Sequence, residues 1–276
     1  MNLTSSYPVE FNESGQGEAI VFVPGSFSNG ASWRGISSAL AGEYRTITTS
    51  LSGYGKTQER RSPGGDHMAK ELDVLDSVLQ RVNAPVHLVA HSFGAYVALL
   101  YTLRRPHSVM SLSLLEPTVF DLLRLCGETT LNDEVLAVLH AYKTDWNSGA
   151  SSAVRHIIDF YGGAGTFESY PDPIKTKLIE QTPTNVLDWE TGYACSAAPA
   201  EISTCRLPTR IICGSLSNEP MKTSNRLLCD LLPNAEMCFL EGANHFMLAT
   251  HAIELTAQLR THIEAVSGRG SGLNAP

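Results

Sequence analysis

The sequence predicts an α/β protein: a mostly parallel sheet with helices on both faces, interrupted by a helical insertion. Three observations carry this. Short apolar, β-branched runs alternate with segments whose apolar residues recur every three or four positions, the pattern of strands joined by crossover helices. The runs are continuously apolar rather than alternating, which a strand needs when both of its faces are covered. Between 117 and 206 strand character disappears and helical periodicity takes over.

Residues 7–11 are expected to form a short leading strand, followed by a turn at Ser14-Gly15-Gln16-Gly17. Ala19-Ile20-Val21-Phe22-Val23 is the first continuous apolar run. After it come Pro24-Gly25-Ser26-Phe27-Ser28-Asn29-Gly30 and a helix with Trp33, Ile36 and Leu40 on one face. A glycine-containing turn at the end of a central strand brings backbone amides close to a ligand and suits stabilisation of an anion. A plain strand-to-helix connection fits the same stretch equally well. The next strand is 45–49, and its loop, Ser50 to Thr57, carries two glycines without the G-K-[ST] ending of a phosphate loop or the spacing of a dinucleotide fingerprint. A helix is expected over 66–82, because Met68, Leu72, Leu75, Leu79 and Val82 repeat at three and four residues; Pro85 then marks the step to another strand.

That strand leads into Ala90-His91-Ser92-Phe93-Gly94 and then into a helix that stops at Pro106. A strand, a tight turn and a helix with serine at the apex make a nucleophile elbow. The serine takes a strained backbone conformation, so the positions two before and two after it must be small, here Ala90 and Gly94. The first amides of the helix then point at any negative charge developing beside Ser92. The competing explanation is a serine that caps an ordinary helix. His87 and His91 lie four apart on a strand with no third ligand nearby, which argues against a metal pair; His91 is expected to shape the elbow and its hydrogen bonds.

Residues 110–115 form a further buried strand that ends in Glu116-Pro117-Thr118. Helices are expected near 131–143, 149–161 and 173–181, with many aromatics: Trp146, Phe160, Tyr161, Phe167, Tyr170, Trp189 and Tyr193. Most should pack between helices and one or two should line a pocket. Strands return at 209–213 and 235–240, separated by a helix near 219–232, and a last helix spans about 251–266. The resulting organisation is a core of 1–116 and 207–266, a helical insertion at 117–206, and a glycine- and serine-rich tail at 267–276 with the composition of disorder. Ser26, Ser92, Glu116 and His245 each follow a strand directly, so all four can meet at the carboxyl edge of the sheet, where such sheets bind ligands.

The 276 residues carry a formal net charge of −8 and no basic stripe, which argues against nucleic acid and anionic membranes and favours neutral or apolar small molecules. The amino-terminal residues lack a basic segment followed by an apolar one, and no run approaches membrane-spanning length, so a cytoplasmic protein is expected. Six scattered cysteines without a C-x-x-C pair are expected to be reduced structural thiols. The oligomeric state is left open.

Taken together, Val23-Pro24-Gly25-Ser26, Gly53-Tyr54-Gly55-Lys56-Thr57, Ala90-His91-Ser92-Phe93-Gly94 and Gly242-Ala243-Asn244-His245 resemble the α/β-hydrolase fold from about residue 7 to 266. The resemblance implies a serine, acid, histidine order, with Ser92 as nucleophile and His245 as base, and a helical lid at 117–206. Two positions depart from the family pattern. Pro24 replaces the usual histidine of the oxyanion loop. Ser217 stands where an aspartate is most often found, three residues after Gly214. Some members carry the acid after the family's sixth strand, which here is 110–115, and on that ground Glu116 is expected to be the acid, with Glu219 and Asp121 as alternatives. The amides of Ser26 and Phe93 are the expected oxyanion donors. The resemblance thus implies a cofactor-free serine hydrolase of a carboxylic ester or related acyl bond, with no metal. Lactones, thioesters and carbon–carbon bonds next to a carbonyl remain alternatives, and so does a non-hydrolytic receptor. His251, on the closing helix, is expected to be dispensable.

Overall fold

In the computed structural model, which describes residues 7–62 and 65–268, seven strands form one sheet. They are β1 (Asn12–Ser14), β2 (Ala19–Val23), β3 (Arg45–Thr48), β4 (Val86–His91), β5 (Val109–Leu115), β6 (Thr209–Gly214) and β7 (Ala235–Leu240), and they pair in the order β1-β3-β2-β4-β5-β6-β7. All neighbours are parallel except β1, which runs antiparallel to β3. Burial explains the continuous apolar runs: β2 and β4 are buried along their whole length, so neither face tolerates a solvated side chain.

The leading strand is displaced from the expected 7–11 to Asn12–Ser14, so that it takes in Ser14, the first residue of the expected turn. Pro8 has no amide to donate to a ladder. Glu10 is held instead by side chains: its amide donates to Thr57 Oγ1 (3.0 Å) and its carbonyl accepts from Thr49 Oγ1 (2.7 Å). Its carboxylate accepts from Ser50 Oγ and from the Lys56 amide (both 2.9 Å), which shapes the 50–57 loop as a structural turn.

Helices cover both faces. On one side lie α2 (His67–Val82) and α3 (Ser92–Arg104), with α10 (Glu219–Leu231) beside them; on the other lie α1 (Arg34–Leu40) and α12 (Ala252–Ser267), the latter preceded by the short α11 (Met247–Thr250). Helix α2 has the expected apolar stripe, is capped by Asp66 accepting from the Ala69 amide at 3.0 Å, and ends at Asn83 in the left-handed region. Helix α12 ends one residue into the stretch expected as a tail: Ser267 is its last residue and Gly268, at φ 70°, its cap, while 269–276 lie outside the described residues.

Between β5 and β6 the chain is helical: α4 (Asp121–Leu125), α5 (Thr129–Asn147), α6 (Arg155–Gly162), α7 (Thr166–Ser169), α8 (Asp172–Ala194) and α9 (Pro199–Ile202). The short α4, α7 and α9 were not expected, α5 runs a few residues beyond 131–143 at both ends, and the bounds of α6 and α8 differ most. Helix α6 begins at Arg155 because the residues before it form turns around Gly149, which has φ 83°. Helix α8 continues past 181 and through Pro183 to Ala194. Proline costs a helix one hydrogen bond, and here buried Leu178, Val186 and Trp189 on either side hold the helix together. No helix among the described residues is long and apolar enough to cross a membrane.

Candidate active site

The parallel register brings the strand ends to one edge: Val23 pairs with Ala90, His91 with Leu115, and Leu115 with Ile212. The residues just beyond those ends therefore meet. Ser92 follows β4 at φ 56°, a conformation a side chain rarely adopts, and begins α3. The turn leaves no room for larger neighbours. A Cβ on Gly94 would run into the Pro24 carbonyl, and one on Gly25 would stand 2.7 Å from Ser92 Cβ.

Ser92 Oγ lies 2.9 Å from His245 Nε2, and His245 Nδ1 lies 2.6 Å from Glu116 Oε2. Glu116 follows β5, at φ 44°, and is fully buried. Its other oxygen accepts from the Gly214 amide (2.6 Å), from Ser217 Oγ (2.5 Å) and from Cys213 Sγ (3.3 Å). Burial pushes its pKa up, but the bonds from His245, Ser217 and Gly214 and the attraction of His245 outweigh burial and hold the carboxyl below its ordinary value. Ser217, at the family's usual aspartate position, is thus a donor to Glu116.

The alternative carboxylates lie elsewhere. Glu219 starts α10 and pairs with Lys222 at 3.1 Å. Asp121 starts α4 and accepts from Tyr96 Oη at 3.3 Å. His251 sits between α11 and α12 with its Nδ1 2.7 Å from Thr250 Oγ1. His91 donates from Nε2 to the His245 carbonyl at 3.0 Å, and burial pushes its pKa down to about 3, with His245 adding to the effect, so it is neutral at physiological pH. It thereby ties the elbow to the loop that carries His245. His87 Nδ1 is 2.8 Å from Ser111 Oγ, which makes it a core contact.

A cavity of about 440 Å³ opens over Ser92 and His245. Ser26 and Phe93, the expected oxyanion donors, line it, as do Phe27, Phe120, Ile157, Ile158, Tyr161, Tyr170, Leu178, Trp189, Tyr193 and Phe246. Four of the seven aromatics noted in the sequence therefore reach the cavity, more than the one or two expected, because α6, α8 and the turn before α8 all contribute to its walls. Tyr161 stacks on the His245 ring at 4.0 Å between centroids and 15° between planes. Asp121 and Asp188 also line the cavity, whereas Lys and Arg do not, among the described residues.

Sequence reasoning missed a buried cluster beside this cavity. Asp188 on α8 accepts from Ser26 Oγ (2.5 Å) and Tyr54 Oη (2.6 Å) on one oxygen and from Arg61 (2.5 Å) on the other. The available signal was the polar residues Asn185 and Asp188 three positions apart on the same face as Leu178 and Trp189, where an unsolvated acid demands a partner.

The sequence pattern of the alpha/beta hydrolase family matches residues 20–259. This chain belongs to the alpha/beta hydrolase family. Over 261 residues the hydrolase is 23% identical to a pimeloyl-acyl-carrier-protein methyl ester esterase of Aliivibrio fischeri, spanning 93% of this chain and 97% of that one. A shorter match, 26% identical over 139 residues, joins it to the protein YqjL of Bacillus subtilis and covers 50% of this chain and about half (53%) of that relative. Among solved structures, a thermophilic esterase from Thermogutta terrifontis superposes with a TM-score of 0.73 at 16% identity, covering 94% of this hydrolase and 93% of the esterase.

Proposed function

We propose that this hydrolase cleaves carboxylic esters of small, largely uncharged substrates through an acyl-enzyme on Ser92. The observation that carries the reading is the unbroken hydrogen-bonded series Ser92, His245, Glu116 at the floor of an aromatic cavity. Residues 117–206 act as a cap over a core made of 1–116 and 207–266. The likeness to a methyl ester esterase agrees with this.

With Glu116 accepting from Nδ1–H, Nε2 of His245 is the free base facing Ser92. The base takes the hydroxyl proton as Oγ attacks the ester carbonyl, and Glu116 steadies the imidazolium. The carbonyl oxygen becomes an oxyanion held by the amides of Ser26 and Phe93, at the positive end of α3. Collapse expels the alcohol, which takes its proton from His245. Water then attacks the acyl-enzyme, with His245 as base again, releasing the acid and restoring Ser92. Two oxyanion amides are worth roughly 3 kcal/mol each. No cofactor is required, and the partner is a small molecule.

The test is hydrolysis of p-nitrophenyl esters from acetate to long acyl chains, with Ser92→Ala beside the wild type. Turnover that is lost in the variant is expected, with an optimum at acyl lengths that fill the cavity. A wild type that turns over no ester and takes no serine-directed phosphonate would replace the enzyme with a ligand receptor. A lactone or thioester turned over far better than any ester would keep the machinery and change the substrate.

A further inference from the structure

The loop that offers the Ser26 amide is not braced by the sheet alone. Gly25 packs against Ser92, so the loop cannot retreat, and Phe27 is held in the left-handed region at φ 58°, where a bulky residue does not rest by preference. Between them, Ser26 is restrained from the other side by a single carboxylate. Oδ2 of Asp188 accepts from Ser26 Oγ at 2.5 Å and from Tyr54 Oη at 2.6 Å. The loop is thereby tied to α8 through Ser26, and Tyr54 holds the same oxygen in place.

The carboxylate is itself immobilised. Its Oδ1 accepts from Arg61 at 2.5 Å, and Arg61 is fixed by Glu59 (2.7 Å) and by the Ser52 carbonyl (3.1 Å). Asp188 is 2% exposed, lines the same cavity as Ser92, and sits one residue before Trp189 and three after Asn185, both of which line that cavity. It comes from α8, 162 residues away from Ser26 in the chain. The helix that forms one wall of the substrate cavity is thus bonded to the loop that meets the substrate's oxygen.

We infer that Asp188 is a positioning residue for the oxyanion loop, holding Ser26 through its hydroxyl, so that the seating of α8 sets how well the Ser26 amide meets the transition state. Resting on the proposed esterase mechanism, this adds a group that touches neither the nucleophile nor the base. Charge is suited to the task, because a hydrogen bond to a buried carboxylate is shorter and stronger than one to a neutral oxygen. A misplaced donor loses part of the stabilisation that a well-aimed one provides.

Full-length Ser26→Ala, Asp188→Ala and the double variant test this, on a neutral p-nitrophenyl ester and with an alkyl boronic acid, whose tetrahedral adduct on Ser92 mimics the oxyanion. Ser26→Ala keeps the backbone amide and removes only its tether. Each single variant is expected to lose about 10- to 100-fold in kcat with KM within about twofold. Boronic acid affinity should fall by the same factor as kcat/KM, and the double variant should be no worse than Asp188→Ala, since both remove one bond. Unchanged kcat in Ser26→Ala, unchanged boronic acid affinity beside a lowered kcat, or losses that multiply would each overturn the inference. Where Asp188→Ala does not fold, by circular dichroism, Ser26→Ala decides alone, because it leaves the Arg61–Asp188 pair in place. A wild type that hydrolyses no ester overturns the proposed function, whereas an active wild type with an equally active Ser26→Ala overturns only the role of Asp188.

Discussion

Glu116 shows how much one residue's surroundings demand. It holds φ 44° without being glycine, is fully buried, and accepts four donors: Gly214, Ser217, Cys213 and His245. Glu116→Gln preserves shape but removes the charge that, in the proposed mechanism, steadies the imidazolium and fixes its tautomer. kcat on a neutral ester is expected to fall roughly 10³- to 10⁴-fold with the fold intact, and activity near wild type would send the acid's role to another carboxylate. Asp121 is the opposite case. Burial, against a bond from Tyr96, pushes its pKa up to about 6. A carboxyl raised on folding destabilises the protein once pH exceeds its unfolded value, and the penalty is complete above the folded one. Asp121→Asn should therefore raise the melting temperature at pH 8, by roughly 1–3 kcal/mol of stability, with the gain fading as pH falls from 6 toward 4. Equal gains at pH 4 and pH 8 would show that ionisation is not the cause.

Among the elements, the turn from β4 into α3 is the most constrained. It must point Ser92 away from the sheet while Pro24 and Gly25 pass close by, and the space is met by omitting side chains at Gly25 and Gly94. Even a methyl group at 94 forces the Pro24 carbonyl, and with it the Ser26 loop, to move. Gly94→Ala is expected to cost about 1–3 kcal/mol of stability, as overpacking does, and to lower kcat/KM by more than that loss explains, at a temperature where the variant is fully folded. Wild-type kinetics in a folded Gly94→Ala would mean the loop yields without disturbing the oxyanion donors. The long α8 obeys a different logic. Its two apolar contact regions on either side of Pro183 outweigh the broken helix bond, and it thereby delivers Asn185, Asp188 and Trp189 to the cavity in one piece.

On the scale of the whole molecule, charge and cavity shape act together. The formal charge is −8, and the cavity holds two aspartates with Lys and Arg absent from its lining, among the described residues. Asp188 shares Arg61 with Glu59 and Glu71, so that cation is already engaged and a carboxylate on the acyl chain would be desolvated without a cation to receive it. A p-nitrophenyl ester with a carboxylate at the end of its acyl chain should have a kcat/KM at least about tenfold below that of the neutral ester of equal length. Equal values would show that the acyl end lies in solvent beyond the aromatic walls.

Most of the sheet and its helices were legible in the residues, because a strand covered on both faces must be continuously apolar and an amphipathic helix must repeat at three to four positions. Local sterics also made the elbow legible: only small residues fit at 90 and 94 around a serine in that conformation. The leading strand was misplaced, since hydrogen bonds with Thr49, Ser50 and Thr57 hold Glu10 where ladder bonds would otherwise have done so. Helix α8 was cut short, since proline's local cost is visible in the sequence and the distant packing that offsets it is not. Glu116 stood out only with the help of a family resemblance. Its support by Ser217, the stacking of Tyr161 on His245 and the tie from Asp188 to Ser26 join residues 101, 84 and 162 positions apart. Such contacts leave no periodic trace in the chain. They exist only after the parallel register has aligned the strand ends and α6 and α8 have closed over them.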